Sequence, residues 1–520
     1  MFSFRLFGEK ITLQLQKKID VGLLEMMQKH RLRRFLLGSI MMILTALFLL
    51  QSCYKERFIT DSDAKLAFSL DTLRFDTVFT ELGSATRSFK VYNRNDLPIK
   101  VSKAYFESGS ESIFRMNVDG LTGTEIGAFE IGANDSVYVF AEVTIDPNEP
   151  LSISPFILEE LIVFETNGNT QQVRLEAWGQ NANYVPNRFF QNGIGILSCD
   201  LEQIVWDDPK PYVIYGTLLI DSCELVLPPG TRVYVHGGVA NNAFGIYNDG
   251  IIFTLQRGII TANGTPDQPV IIQDDRLEED YTDVWGGIRL GPDSRGHSFK
   301  NTIIRHGIVG ISVDSAASLT LENTIIEECS GFGIFGRHAT ISAKNCLLAD
   351  HGGDALALTY GGSYTFDYCT VASYGNDSEA LTLNNFYCTD PLCLEEVFFN
   401  PLTARFRNSI LVGSSQDEIA LIDGSGEEGF FSYTLENCIV KIDELDDADG
   451  HPDFFQFCDP CENVSFRDTL FVDIDANDYH LDTLSVAEEL GMPIPGISTD
   501  LEGNQRDPVR PDVGCYEYIK

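Results

Sequence analysis

A four-residue phrase repeats along the second half of the chain and constrains its fold more than any other feature. Successive copies begin 22, 22 and 23 residues apart, and two more copies follow after longer gaps. Repeats with a period of about 20–50 residues are typical of solenoids and propellers. The copies are Asn301-Thr-Ile-Ile304, Asn323-Thr-Ile-Ile326, Asn345-Cys-Leu-Leu348, Tyr368-Cys-Thr-Val371, Asn408-Ser-Ile-Leu411 and Asn437-Cys-Ile-Val440.

The residue before each copy is charged, and the sign of the charge alternates from copy to copy. Equivalent residues of stacked parallel strands lie roughly 4.8 Å apart, so alternating charges would attract one another. Segments such as Leu319-Thr-Leu-Glu322 also alternate apolar and polar residues, which is typical of strands. We therefore predict a right-handed parallel β-helix, with the asparagines that begin the first three copies forming an amide ladder in a turn. The alternating residues are Lys300, Glu322, Lys344, Asp367, Arg407 and Glu436.

The first 52 residues have the pattern of an export signal. A basic stretch that ends at Arg34 precedes an apolar run from Phe35 to Leu50, which is shorter than the roughly 20 residues of a membrane-spanning helix. The run ends in Leu50-Gln-Ser-Cys53, which resembles a bacterial lipoprotein cleavage box. The resemblance implies that residues 1–52 are removed, that Cys53 carries lipid, and that the protein is held at the outer membrane, facing the periplasm or the cell surface. Ordinary secretion is the alternative.

The charge of the chain excludes some partners. The formal net charge is −39. Removing the 8 Lys/Arg and 3 Asp/Glu of residues 1–52 leaves −44 for the mature chain. Such a surface repels nucleic acid and anionic lipid headgroups, so we expect neither as a partner.

Residues 66–180, after a tether at 53–65, read as short strands separated by turns, which predicts a β-sandwich. The segments Phe89-Lys-Val-Tyr-Asn93, Leu97-Pro-Ile-Lys-Val101 and Val173-Arg-Leu-Glu-Ala-Trp-Gly179 resemble immunoglobulin-like domains of the ASPM–SPD-2–Hydin type. The resemblance implies an interaction or spacer module.

Residues 211–475 form the predicted β-helix, after a transition at 181–210. Leu225-Val-Leu-Pro-Pro-Gly230, the segment 258–272 and the closing block Pro511-Asp-Val-Gly-Cys515 resemble bacterial β-helix proteins of the pectate-lyase-like superfamily. That resemblance implies an architecture more than an activity. We predict that residues 476–520 cap the solenoid, since its last coil would otherwise be exposed. Insertions at about 377–400 and 417–430 interrupt the coils.

Twelve cysteines in an exported chain favour disulfides. Cys388 with Cys393 and Cys458 with Cys461 are the best local pairs, although a two-residue spacing can also indicate redox or metal chemistry.

The sequence contains no motif for a cofactor. No pair among the eight histidines has the spacing of a zinc motif. The acidic segments Asp446-Asp-Ala-Asp-Gly450 and Asp473-Ile-Asp-Ala-Asn-Asp478 lack ligand positions of a calcium loop, so we predict solvated acidic turns there, with bound Ca²⁺ as the alternative.

One column of the repeat contains candidate catalytic residues. The position five residues after the start of the first three copies holds His306, Glu328 and Asp350, and Asp354 follows shortly after. Adjacent coils would hold Glu328 and Asp350 about 5 Å apart, the separation of a retaining glycosidase pair. The alternative is a structural charge ladder that begins at His306.

Two functions follow. The first is an envelope-anchored β-helix lipoprotein that binds or displays without catalysis, with a polysaccharide or protein ligand. The second is a polysaccharide lyase or glycoside hydrolase that acts on an extracellular glycan.

Overall fold

The structure is a computed structural model. It describes residues 57–79, 86–144, 156–180, 182–185, 194–200, 202–242, 245–248, 250–275, 285–390, 393–447 and 450–519. The predicted signal, Cys53 and most of the tether lie outside the described residues.

The N-terminal region consists of two sheets that share one apolar core, as predicted for a β-sandwich. Alternate side chains along the strands, such as Val91 and Phe164, are fully buried between the sheets. The five-stranded sheet contains, in spatial order, Ala67–Phe68, Arg87–Asn93, Asp135–Val143, Phe114–Val118 and Leu121–Gly123. The six-stranded sheet contains Thr72–Phe79, Asn169–Gln180, Phe156–Thr166, Ile99–Phe106 and Glu125–Ile126, with Phe129–Ile131 paired to Ile99–Phe106.

The second region is a solenoid of parallel strands, which confirms the predicted β-helix. One long sheet of 11 strands runs along its whole length and carries the repeated phrase. Its strands are Asn183–Val185, Tyr212–Tyr215, Arg232–His236, Val270–Asp274, Thr302–Arg305, Ile325–Glu327, Leu347–Ala349, Thr370–Ser373, Ile410–Gly413, Cys438–Val440 and Cys461–Asn463.

Two further rows of parallel strands complete each coil and are joined into a 16-stranded sheet. The long strands Ile334–Lys344 and Leu356–Asp367 belong to both rows and bend at His338 and Tyr360, where φ is 50° and 59°. The other strands of the first row are Ile194–Leu197, Thr217–Ile220, Ile251–Thr254, Trp285–Leu290, Gly307–Val313, Leu381–Asn384 and Ile419–Ile422. Those of the second row are Gln203–Val205, Cys223–Leu227, Gly258–Asn263, His297–Lys300, Ser318–Glu322, Leu402–Arg407 and Phe431–Glu436.

The remaining elements are short. Three antiparallel hairpins are Val239–Asn242 with Gly245–Asn248, Phe386–Cys388 with Val397–Phe399, and Phe471–Asp473 with Asp478–Leu481. Helical segments of the described chain are Phe454–Phe457, Gly109–Glu111 and Ile474–Ala476.

The asparagine that begins most copies of the phrase occupies a corner of the coil. Asn301, Asn323 and Asn345 have φ of 43°, 49° and 50°, the left-handed region that asparagine tolerates better than most residues. The Asn323 amide donates to Asn301 Oδ1 at 3.2 Å, and the Asn345 amide donates to Asn323 Oδ1 at 3.1 Å. The predicted amide ladder is therefore confirmed, and the corner conformation explains why the repeat uses asparagine.

The alternating charges lie in register on consecutive coils, as predicted. Lys300 pairs with Glu322 in the parallel ladder and Glu322 pairs with Lys344. Both lysine Nζ atoms lie 2.9 Å from a Glu322 carboxylate oxygen. Arg407 continues the column with a 2.7 Å contact to Asp367.

We expect Glu322→Lys to destabilise the solenoid by about 1–2 kcal/mol, because the new cation would stand between two lysines. Added salt should reduce this destabilisation, because these side chains are partly exposed and salt screens their charges. Chemical denaturation at low and high salt measures both effects. Thr320→Lys, an exposed outward position of the same strand, is the control, and equal losses in the two variants would contradict the ladder.

The C-terminal segment, residues 464–519, covers the side of the solenoid. Outward residues of the 11-stranded sheet, such as Leu347 and Ile410, are buried beneath Phe471, Tyr479 and Val513. The last coil is instead closed by residues 454–461, where Phe454 is fully buried beside Tyr433. The segment predicted to cap the last coil, residues 476–520, therefore packs along the outer face of the 11-stranded sheet instead. There it shields the outward apolar residues from water.

Candidate functional site

The candidate carboxylates lie where the chain turns out of the 11-stranded sheet. His306, Glu328 and Asp350 each follow a strand of that sheet and have φ of 59°, 56° and 59°. Asp274 ends the strand that precedes the His306 coil. The four side chains form one column, which we call the corner column.

His306 joins two carboxylates within this column. Its Nδ1 lies 2.5 Å from Asp274 Oδ2, and its Nε2 lies 2.8 Å from Glu328 Oε2. Burial opposes the charge on the ring, but the hydrogen bonds to Asp274 and Glu328 raise the pKa of His306 to about 9. At neutral pH the ring is therefore an imidazolium that donates both N–H groups.

Glu328 uses both of its carboxylate oxygens. Oε2 accepts from His306, and Oε1 accepts from the side-chain amide of Asn477 at 3.2 Å. The hydrogen bond from His306 lowers the pKa of Glu328, against the opposing effect of burial. Glu328 is thus held ionised, with its oxygens engaged.

Asp350 lies under the C-terminal segment. Tyr479, which is 1% exposed, donates its hydroxyl to Asp350 Oδ1 at 2.7 Å. The other oxygen, Oδ2, is buried and has no hydrogen-bond partner among the described residues. Burial raises the pKa of Asp350 to about 6, and the charges of Glu327 and Glu328 add to the increase.

The raised pKa of Asp350 and the lowered pKa of Glu328 have the polarity of a general acid beside an ionised carboxylate. Catalysis by such a pair also requires that each group touch the substrate. The free oxygen of Asp350 is buried, and both oxygens of Glu328 are occupied. In this arrangement the two carboxylates join neighbouring coils and contact the C-terminal segment.

We expect Asp350→Asn to stabilise the chain at pH 8 relative to the wild type by roughly 1–3 kcal/mol, and to have no such benefit near pH 4. The folded pKa of about 6 exceeds the ordinary value of 3.8. The cost of burying this carboxyl therefore grows as pH rises from about 3.8 and is complete above about 6. Melting temperatures from pH 4 to 8 measure the difference, with Asp293→Asn at an exposed corner as the control. A pH-independent difference would contradict the buried carboxyl.

Asp354 does not join the corner column. It lies beside Glu379 of the next coil, whose pKa is raised by burial and by the nearby Asp354. The sequence analysis also did not identify three residues that contact the candidate residues, namely Asp274, Asn477 and Tyr479. Asp274 could have been found by extending the repeat back to Val270–Asp274, whereas Asn477 and Tyr479 carry no repeat signal.

The predicted local cysteine pairs both form disulfides in the structure, between Cys388 and Cys393 and between Cys458 and Cys461. A third disulfide joins Cys199 to Cys223 across the first coils.

A groove lies beside the C-terminal segment, and we call it the open groove. Its volume is about 420 Å³. Ile303 and Ile325 form its floor and are only half-buried, unlike the covered residues farther along the same sheet. One wall is the turn at residues 265–269, and the other comprises residues 501–504 with Tyr516. Polar groups line both rims.

The described residues contain neither a metal-binding cluster nor a membrane-spanning helix. No group of three or more His, Cys, Asp and Glu side chains there is arranged to hold a metal ion. No helix in the same residues is long and apolar enough to cross a membrane.

A family model described as a right handed beta helix region matches residues 215–385. The parallel ladders and this match together define the second region as a right-handed β-helix. No curated protein matches the sequence.

Several solved structures resemble parts of the chain. The ASH/PapD-like domain of human CEP192 is 10% identical, with 25% of this chain and 94% of that chain covered and a TM-score of 0.17. The E. coli chaperone DraB is 12% identical over 22% of this chain and 54% of its own, with a TM-score of 0.16. The catalytic unit of the GH87 alpha-1,3-glucanase of Streptomyces thermodiastaticus is 12% identical over 68% and 72%, with a TM-score of 0.24. Scores this low support no functional inference.

Proposed function

We propose that this chain is an envelope-anchored, non-catalytic β-helix lipoprotein that binds a glycan in the open groove. One observation carries the non-catalytic part of the proposal. Both oxygens of Glu328 are hydrogen-bonded, and the unbonded oxygen of Asp350 is buried. The candidate catalytic pair is thereby engaged within the fold.

The chemistry of the open groove fits a neutral glycan. The isoleucine floor offers an apolar surface to the C–H face of a sugar ring, and the carboxylates of Asp267 and Glu502 on the two rims can accept hydrogen bonds from hydroxyls. These exposed carboxylates and the net charge of −39 disfavour a polyanionic ligand.

Anchoring rests on the lipoprotein-like box that ends at Cys53. Lipid on Cys53 would place the solenoid at the bacterial outer membrane, on its periplasmic or outer side. Mass spectrometry of the mature N-terminus tests this part, because an unmodified N-terminus other than Cys53 would refute it.

Binding to a panel of neutral and acidic polysaccharides tests the groove. We expect saturable binding of at least one neutral glycan, and we expect Ile303→Asp to weaken it by at least about tenfold, since a charge would replace part of the floor. Thr320→Asp, an exposed outward position in another row of strands, is the matched control. Binding that both variants retain would remove the groove from the proposal.

A second candidate function, a glycoside hydrolase or polysaccharide lyase, is favoured by one observation. The pKa of Asp350 is raised to about 6 next to Glu328, whose pKa is lowered. That candidate requires the C-terminal segment to move away from Asp350, and it predicts turnover that Glu328→Gln abolishes.

A further inference from the structure

The first insertion forms a hairpin with an apolar face. Tyr387 and Phe398 pair directly across its two strands, so their side chains lie on the same face. They are 42% and 44% exposed, and Leu394 in the connecting turn is 77% exposed. The disulfide between Cys388 and Cys393 closes that turn and limits its conformations.

Arg337 of the adjacent solenoid strand lies against this hairpin. Its guanidinium carbon is 4.6 Å from the centre of the Tyr387 ring and 5.8 Å from that of Tyr360. Arg337 Nε is buried without a hydrogen-bond partner, and no described carboxylate lies within ion-pairing distance of the guanidinium. Arg337, Tyr360, Tyr387, Leu394 and Phe398 together form what we call the insertion surface.

Arg337 carries an unpaired guanidinium in a strongly acidic chain. Acidic residues outnumber basic ones by 76 to 37, and other solenoid cations such as Lys300 and Arg407 have carboxylate partners. Arg337 is half-buried, and shielding part of a cation from water without a partner is costly. Two tyrosine rings orient the Arg337 guanidinium, which can bind a carboxylate by donating paired N–H groups to it.

We propose that the insertion surface is a docking site for an apolar peptide segment of a partner protein that carries a carboxylate. A carboxylate of the segment binds Arg337, and neighbouring apolar side chains pack on Tyr387 and Phe398. Tyr and Arg are enriched among the residues that dominate protein–protein binding energies. Leu394 and Phe398 offer no hydrogen-bonding groups, so the surface suits an apolar peptide better than a hydroxyl-rich glycan.

This surface is formed by residues other than those of the open groove, so the two proposals succeed or fail independently. The hairpin contacts the strand Leu356–Asp367 of the 16-stranded sheet, whereas the open groove lies on the 11-stranded sheet. A preformed, disulfide-closed hairpin also reduces the ordering cost of binding.

A library of random peptides displayed on phage, selected against the full chain and counter-selected against Arg337→Gln, tests the proposal. We expect enriched peptides to carry Asp or Glu within a few residues of Phe, Leu or Trp. A synthetic peptide from that set should lose affinity by at least about tenfold on Arg337→Gln, on Phe398→Ser, or on replacement of its own carboxylate by the amide. The losses from Arg337→Gln and from the amide peptide should not add, because they remove the same contact.

Arg405→Gln, an exposed arginine of the other row, is the matched control and should bind as the wild type does. The melting temperature of each variant establishes that it is folded, and the exposed position of Phe398 provides a second variant that tests the same surface. Absence of enrichment, enriched peptides without a carboxylate, or binding of oligoglucuronate in place of peptide would each overturn the proposal.

Discussion

Replacing Arg506 with methionine is expected to lower the free energy of unfolding by about 3–5 kcal/mol, the usual cost of breaking a buried ion pair. The Arg506 side chain is 2% exposed, and its Nη1 lies 3.2 Å from Glu517 Oε2. Its Nη2 donates to Asn345 Oδ1 at 3.1 Å, which ties the C-terminal segment to the amide ladder. The guanidinium also lies 4.0 Å from the centre of the Tyr368 ring. Methionine keeps much of the apolar packing but leaves the Glu517 carboxylate without its cation.

Denaturant titration measures the loss, and limited proteolysis should cleave the C-terminal segment sooner in the variant. The control is Arg510→Met in the same segment, because the Arg510 pair with Glu489 is exposed and should contribute less than about 1 kcal/mol. Equal effects of the two substitutions would contradict the fastening role of Arg506.

His306→Gln is expected to lower the free energy of unfolding by a similar amount, about 3–5 kcal/mol at pH 6, because it removes the cation between Asp274 and Glu328. Asp274 is fully buried, and the His306 side chain is only 9% exposed. The folded pKa of about 9 is above the ordinary 6.5. The stabilisation is therefore complete below about pH 6.5 and is lost as pH rises through 9.

The stability of wild type and variant from pH 6 to pH 10 measures this dependence. The difference in the free energy of unfolding between wild type and variant should decrease toward pH 10. His480→Gln provides the control, since His480 is 44% exposed in its pairs with Asp478 and Glu502. A difference in the free energy of unfolding that stays constant with pH would show that His306 acts through packing alone.

The repeat predicted much of the solenoid. Positions such as Lys300 and Glu322 could be aligned from the sequence because stacking in register imposes the same requirement on every coil. The corner role of Asn301 follows from the same regularity. Local spacing likewise identified the pair of Cys388 and Cys393 as disulfide candidates.

The C-terminal segment could not be placed from the sequence. Tyr479 meets Asp350 across 129 residues, and Arg506 meets Asn345 across 161 residues. Such contacts have no period, so no column of the repeat indicates them. The sequence therefore predicted that Glu328 and Asp350 lie on adjacent coils but did not predict their contacts with Asn477 and Tyr479.

The carboxylate pair shows how a repeat can place two residues correctly without indicating their other contacts. Glu328 and Asp350 do occupy adjacent coils, as predicted. The preceding coil supplies His306 to Glu328, and the C-terminal segment supplies Tyr479 to Asp350. The corner column thus consists of ionic contacts between successive coils, and the C-terminal segment packs over it.

The most direct test of this account is the incubation of the purified full chain with a panel of polysaccharides, with measurement of reducing ends and unsaturated uronates. The account predicts no product above the blank for the wild type or for Glu328→Gln, together with saturable binding of a neutral glycan. Turnover by the wild type that is lost in a folded Glu328→Gln variant would contradict it.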